Sequence, residues 1–424
     1  MKFVTLTEKE FTKFAVSHPQ ESYFQTAEIA NLRRTYGSTI HFLGVKEKDK
    51  VIAASMFSET KTLCGKKTFY APRGFLIDYH NKKLLEFFTK ELVEYVKKKN
   101  CMMIKIDPNV IYQVRDINGK EKKDEKPDDE TIENLKSLGY RHYGFNTDFE
   151  FTQSRWNFRV TLDVPYETLK QQFSKSTRKN IEATYRKGIQ VRIGTKEDLE
   201  SMEEILVKTA ERKKFQYRTL DYYTRMYEKM GDLMRIYIAY VEPKQYIECS
   251  KELLKEAEEK YQEVQYKMKK DMIGDKLKKQ EENALKQIEK CKKDLEEAKE
   301  FEKENPNGKD IGVLISLKSG QEYLTLYSGY LVEYRKFTPK YAMYNEHILD
   351  AYRFKIPYAN FYGISGIFDP NDKNFGMYEF KRGFGGEVIE MIGEFTYPTS
   401  NWYYIYMALR KFKIILKKIK TKLK

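Results

Sequence analysis

Apolar residues in the first third of the chain recur at two spacings, every second position and then every third or fourth. Residues 41–45 and 51–57 carry β-branched and aromatic side chains on either side of the charged turn KEKDK and predict a strand hairpin. Leu84, Leu85, Phe88, Leu92 and Val96 then recur at helical spacing across 81–99. Residues 102–106 follow as a buried strand stopped by Asp107 and Pro108, and the largely charged stretch 116–130 reads as a solvated loop. The order returns later, with strands at 236–240, 311–317 and 323–327, a helix at 341–353 and a buried strand at 358–362. Each half also carries a helix-to-strand step marked by glycine, LKSLGYRHYGF at 135–145 and FKRGFGGEVIEMIGEF at 380–395. This repetition predicts a mixed α/β (α+β) fold made of two copies of one unit.

Residues 245–305 break the pattern. They are charged and nearly free of Gly and Pro. Leu254, Ala257, Tyr261, Val264 and Met268 form one three-four series, and Ala284, Ile288, Cys291, Leu295 and Ala298 form another beyond Gly274 and Asp275. That is a heptad seam, and two such limbs predict an antiparallel helical hairpin, each limb ~40 Å long. It reads either as a stiff strut or as a lever against an extended partner such as RNA. At the other end of the chain, eight of the fifteen residues from Arg410 onward are basic and none is acidic. Leu409, Phe412, Leu416 and Ile419 fall on one face there, as in a helix lying on a membrane surface, an RNA contact, or a docking helix with a solvated tail.

Composition narrows the classes. The 424 residues suffice for two or three domains, and 41% hydrophobic with 33% charged residues fits a folded protein with a sizeable core. The formal net charge of +15 suits a polyanionic partner (nucleic acid, anionic lipid or a phosphorylated small molecule) or a basic protein that has none. Cys64, Cys101, Cys249 and Cys291 form no CxxC pair and the five His are scattered, so neither a metal site nor a disulfide framework is expected, and a reducing compartment is. The opening MKFVTLTEKEF lacks the apolar stretch of a secretory signal, and no apolar run reaches the ~20 residues of a membrane span. A cytoplasmic location with, at most, peripheral contact with the membrane is expected.

The common catalytic signatures are missing: no GxSxG elbow, no Walker A loop and no GxGxxG after a strand. No glycine stands in the pyrophosphate loop of acetyl-CoA N-acyltransferases (Gln or Arg, two residues, Gly, one residue, Gly or Ala), which counts against CoA as an acyl donor. Four clusters remain. YFQTAEIANLRRTYG at 23–37 ends a short helix with Arg33 and Arg34, a pair that complements the helix dipole or grips a phosphate or carboxylate. FSKSTRKNIEATYRKG at 173–188 bears Lys175, Arg178, Lys179, Arg186 and Lys187 with little acid to offset them, a candidate RNA or phosphate footprint. ERKKFQYRTLDYY at 211–223 is basic and interleaved with aromatics. GMYEFKRGFGGEVIEMIGEF at 376–395 places Phe380 and Lys381 before Gly383, Gly385 and Gly386, which would let a bulky ligand approach the backbone.

In this order, and together with the opening MKFVTLTEKEF, RGFLIDY at 73–79 and IDP at 106–108, these clusters resemble the FemABX family over essentially the whole chain. Its members are non-ribosomal aminoacyltransferases that build the interpeptide bridges of peptidoglycan. The resemblance implies two GNAT-like acyltransferase domains with an inserted coiled-coil arm. The first would span 1–155, joined by the C-terminal segment 396–424; the second would span 156–244 and 306–395; the arm would occupy 245–305. A hairpin of that kind looks like the tRNA-contacting arm of seryl-tRNA synthetase.

Residue roles follow from the same resemblance. Lys381, after Phe380, matches the Phe-Lys pair that holds the acceptor end of the aminoacyl-tRNA, where a lysine stabilises the oxyanion formed when an amine attacks the ester. Arg218 and Tyr222 match an Arg-x-x-x-Tyr contacting the peptidoglycan precursor, with Gln216 beside them and Tyr327 lining the same cleft. Arg33 falls where the family has a phosphate-binding lysine, and Ile29 replaces the usual tryptophan four residues before it. Apart from the resemblance, the one-sided charge of 173–188 makes Lys175, Arg178 and Lys179 the candidate tRNA contacts. Asp107 is the nearest motif-placed carboxylate for a general base. The expected function is transfer of an amino acid from aminoacyl-tRNA, as cosubstrate and without other cofactor, to the stem-peptide amine of lipid II or its nucleotide precursor. The alternatives are a non-catalytic RNA-binding protein and a CoA-dependent N-acyltransferase.

Overall fold

The computed structural model describes residues 1–149, 152–214, 216–270, 274–410 and 412, residue 63 by its backbone alone. Two sheets organise the chain. In the first, the order is Lys2–Thr5, Thr39–Glu47, Lys50–Lys61, Lys67–Arg73, Cys101–Pro108, Phe395–Pro398 and Arg141–His142. Its central hairpin turns on Lys48 and Asp49, both left-handed (φ 47° and 65°), the geometry that matches the twist of the flanking strands. The helix Lys82–Lys97 starts where the Asn81 side chain accepts a hydrogen bond from the Leu84 N–H, and it buries Leu84, Leu85, Phe88, Leu92 and Val96.

The second sheet runs Ile111–Arg115, Glu387–Met391, Trp156–Thr161, Tyr358–Ile364, Glu322–Tyr330, Lys309–Ser319, Met234–Val241 and Ile189–Ile193. Each sheet has one parallel pair, bridged by a helix as parallel connection requires. In the first it is Lys67–Arg73 with Cys101–Pro108, joined by Lys82–Lys97. In the second it is Glu322–Tyr330 with Tyr358–Ile364, joined by Pro339–Arg353. The duplicated α/β unit expected from the sequence is therefore present.

The units exchange strands; the return of the C-terminal segment to the first unit follows the expected division, whereas the departure of residues 111–115 from it does not. Ile111–Arg115 leaves the first unit and pairs with Glu387–Met391 at the edge of the second sheet. Phe395–Pro398 crosses the other way, between Cys101–Pro108 and Arg141–His142. Ion pairs fix the first exchange: the Arg115 Nε lies 2.7 Å from Glu390 Oε2, and Lys122 Nζ lies 2.7 Å from Glu387 Oε2.

The arm consists of helices Pro243–Lys270 and Asp275–Glu304, inserted between the adjacent antiparallel strands Met234–Val241 and Lys309–Ser319. The heptad positions are the covered ones, with Ala257, Cys291 and Ala298 fully buried. At its root Tyr246 meets Phe301 and Phe337 edge-on, ring centres 5.9 and 5.1 Å away. The C-terminal helix begins at Trp402 and packs Tyr403 against Met102 and Met103. Leu416, Ile419 and most of the basic tail lie outside the described residues. Because Phe301 plugs the arm into the core, Phe301→Ala is expected to destabilise the protein by about 3 kcal/mol, read as a lower midpoint in denaturant unfolding.

Candidate functional site

The two parallel pairs differ in how far they hold together. Lys67–Arg73 pairs with Cys101–Pro108 along its whole length, slipping once between Lys67 and Thr68 and then running in register to Arg73 and Pro108. In the second sheet only Glu322 to Leu324 pair, with Tyr358 to Asn360, and the strands then part. Into that gap opens a cavity of about 950 Å³, walled on one side by residues 325–330 and on the other by Phe361, Tyr362 and Gly363. The parting coincides with a bulge: against Trp156–Thr161 the register slips between Asn360 and Gly363, and Tyr362 adopts φ 59°. The Asn360 side chain holds that turn by accepting from the Tyr362 N–H at 2.7 Å. A side chain at Gly363 would collide with Ser154, so glycine lets the segment 152–155 close the cavity wall.

Strand parting leaves carbonyls without ladder partners, and Lys381 supplies the donor. It comes from the last turn of the helix Phe375–Arg382, is 5% exposed, and its Nζ donates to Gly363 O at 2.6 Å and Tyr362 O at 3.2 Å. Phe380 packs against Tyr341 and Tyr344 on the same wall. Lys340, in the first turn of Pro339–Arg353, places its Nζ 4.2 Å from the Phe380 ring centre. Burial, and then the Lys340 charge, push the Lys381 ammonium well below the ordinary lysine range. Burial, with Lys213 and Arg212 nearby, brings Lys340 down to about 8.

Cations dominate this cavity. Arg155 and Lys373 on its wall are neutralised by Glu390 and Asp148. Arg212, Lys213, Arg335, Lys340 and Lys381 have no ion-pair partner among the described residues, and Asp148 is the sole acid among the lining residues described. Lys381 is buried and Lys340 half-buried, while Arg212, Lys213 and Arg335 are exposed at the mouth; such a one-signed site suits an anion.

Of the residues singled out in sequence, Lys381, Phe380 and Tyr327 line the cavity. Arg218 and Tyr222 stand next to it: the Arg218 guanidinium lies 5.0 Å from the Tyr222 ring centre, and the Tyr327 hydroxyl joins burial in raising Tyr222 far above its ordinary value. Arg33 is one helix away, donating to Ser58 Oγ at 2.8 Å and facing the Tyr70 ring at 6.0 Å. Gln216 is exposed and outside the lining. Lys175, Arg178 and Lys179 lie on the helix Lys175–Arg186, also outside the cavity; Lys175 and Lys179 are exposed, and Arg178 donates to Gln171 O. That helix nevertheless packs on Thr338 and Gly383, which bracket Lys340 and Lys381.

The comparisons with known proteins agree with one another. The FemAB family model matches residues 6–411. The chain belongs to the FemAB family. It is 33% identical to the aminoacyltransferase FemB of Staphylococcus epidermidis, covering 99% of this chain and all of that protein. It is 30% identical to the aminoacyltransferase FemA of the same species, covering 97% and all. The fold matches the crystal structure of FemX with a TM-score of 0.77 at 23% identity, over 96% of this chain and 99% of the other.

Within this FemAB chain the sequence left several cavity residues unmarked. Arg212 and Lys213 fall in the basic run 211–223 but carry no spacing signal of their own. Lys340 offered one cue, a cation in the first turn of a helix, where the dipole opposes it. Tyr362 and Gln153, whose side chains meet at 2.8 Å on the cavity wall, had none. The glycines after Lys381 serve differently from the expectation. Side chains at Gly383 and Gly386 would strike Thr177 and the Arg159 backbone, so these glycines let the helix Phe375–Arg382 turn tightly into Glu387–Met391, and the close approach is by the protein itself.

Asp107 sits behind the cavity and 1% exposed, accepting from the Tyr70 O–H and the Arg73 N–H, each at 2.6 Å. Neither Asp107 nor Tyr70 lines the cavity, so Asp107 is not placed to take a proton directly from an amine there. Burial raises its pKa to about 6 despite Arg73. The folded protein thus holds this proton more tightly than the unfolded chain does. The associated stability is full below about pH 4 and lost as pH rises to about 6, on the order of 3 kcal/mol. Denaturant midpoints measured across that window are expected to show this decline, and Asp107→Asn to flatten it.

Proposed function

We propose that this FemAB-family protein is an aminoacyltransferase that moves an amino acid from aminoacyl-tRNA to the stem-peptide amine of a peptidoglycan precursor, lipid-linked or nucleotide-linked, in the cytoplasm. The observation that carries this reading is the group of uncompensated cations around Lys381 in a cavity large enough for a terminal nucleoside. An RNA 3′ end brings phosphates to Arg212, Lys213, Arg335 and Lys340, and its ester to Lys381. No cofactor is required, because the ester is already activated.

The chemistry is then mostly placement. The amine nitrogen attacks the ester carbonyl carbon, the carbon–oxygen π pair moves onto oxygen, and Lys381 donates a hydrogen bond to the oxyanion. Collapse breaks the bond to the ribose oxygen, which departs with the proton given up by the amine. In the free protein, burial and Lys340 disfavour the Lys381 ammonium. Phosphates beside Lys340 offset that repulsion, so donor binding favours the charged state the oxyanion needs. The precursor approaches past Arg218, Tyr222 and Tyr327, with Arg33 suited to an anionic group farther out.

Incubation with charged tRNA and lipid II is expected to lengthen the stem peptide by mass spectrometry. Equal binding of charged and uncharged tRNA without product would instead identify an RNA-binding protein. Lys381→Met is expected to lower the transfer rate ~10²- to 10³-fold with donor binding largely kept. Lys340→Ala is expected to raise the donor KM roughly tenfold or more. Since Lys340 is charged only below about 8, wild-type donor affinity should fall as pH rises through that value, and Lys340→Arg should remove that part of the fall.

A further inference from the structure

The C-terminal helix presents an apolar stripe that none of the described residues covers. Its inner face is fixed: Tyr403 is 4% exposed against Met102 and Met103, its hydroxyl is 3.1 Å from Thr396 Oγ1, and Met407 accepts from the Tyr143 O–H. At 100° per residue, Trp402, Ile405, Leu409 and Phe412 fall on the side turned away from that contact. They are 37%, 50%, 44% and 58% exposed. The charges that face its aromatic residues, among the described residues, are positive. Lys66 faces the Trp402 ring at 5.9 Å, Arg141 faces the Tyr404 ring at 4.9 Å, and no acidic residue occurs anywhere after Glu394. In sequence the three-four spacing continues through Leu416 and Ile419, among eight basic residues in the last fifteen.

We propose that this stripe docks the protein on the surface of an anionic lipid bilayer, with the apolar side chains entering the headgroup boundary and the flanking cations meeting lipid phosphates. Both halves of that chemistry are present, an apolar face with an aromatic at its start and a one-signed polar flank. A second copy of the chain is the poorer occupant, because two such stripes would bring like charges together. RNA would use the cations and leave Ile405, Leu409 and Phe412 in water. Among the described residues no helix is long and apolar enough to cross a membrane, so the contact is peripheral.

The test is co-sedimentation of the full-length protein with vesicles of phosphatidylcholine alone and with phosphatidylglycerol added. Binding is expected to depend on the anionic lipid and to weaken with salt. The double substitution Ile405→Ser with Phe412→Ser, both on the exposed face, is expected to weaken it on the order of a hundredfold with the thermal midpoint unchanged. Transfer to a water-soluble acceptor should be unaffected by the same variant, so docking and catalysis can fail separately. The proposal is overturned if the wild type stays in the supernatant, or if wild type and variant partition equally. A concentration-dependent dimer or a tRNA affinity that the variant abolishes, without vesicle binding, overturns it too.

Discussion

The site depends on one accommodation: an ammonium group occupies the place where two parallel strands stop pairing. Once Glu322–Tyr330 and Tyr358–Ile364 part beyond Leu324, the carbonyls of Tyr362 and Gly363 turn into a buried space without a ladder partner. An unpaired buried carbonyl is costly, and a lysine answers two at once. The same arrangement makes the cavity, positions the cation and leaves an N–H direction for a ligand. The placement of the buried amine and the repair of a broken sheet are here the same feature.

That solution is electrostatically incomplete. Desolvating an ammonium costs several kcal/mol, and hydrogen bonds to neutral carbonyls recover only part of it. Lys340 adds repulsion, and no carboxylate on the described wall near Lys381 relieves it. Where a purely structural lysine would have been given an acid, this cavity places further cations beside it. The deficit is relieved either by loss of a proton from Lys381 or by an incoming anion, so on the proposed reading affinity for a phosphorylated ligand and the charge state of Lys381 are coupled through one Coulomb interaction.

Much of this was legible in the sequence. Leu84, Leu85, Phe88, Leu92 and Val96 marked a helix because one face of a cylinder must be dry, and Ala257, Cys291 and Ala298 marked the arm for the same reason. Lys381 and Phe380 were recognisable as a local pair. Lys340, Arg335 and Tyr362 were not, because their proximity to Lys381 arises from strand parting and from a bulge, which leave no period in the chain. The return of the C-terminal segment to the first unit was expected from the resemblance, but the crossing of Ile111–Arg115 to the second sheet was invisible for a related reason: strand partners separated by hundreds of residues are chosen by tertiary fit. Arg218 and Tyr222 stood four apart in sequence, but only the fold sets them beside Tyr327.

The cavity beside Lys381 belongs to the second unit because its parallel pair opens where that of the first unit does not. The pairing of Lys67–Arg73 with Cys101–Pro108, in register from Thr68 to Arg73, closes the first sheet, and Asp107 ties its end by holding Tyr70 and the Arg73 N–H. From that closed end Arg73 reaches across to donate to Ser154 O at 2.7 Å. Ser154 abuts Gly363, and its neighbour Gln153 accepts from the Tyr362 O–H. The rigid unit therefore braces the bulge whose carbonyls hold Lys381. Loss of the parting in the second sheet would remove the cavity, and loss of the closure in the first would let the bulge relax, so each unit needs the register that the other lacks.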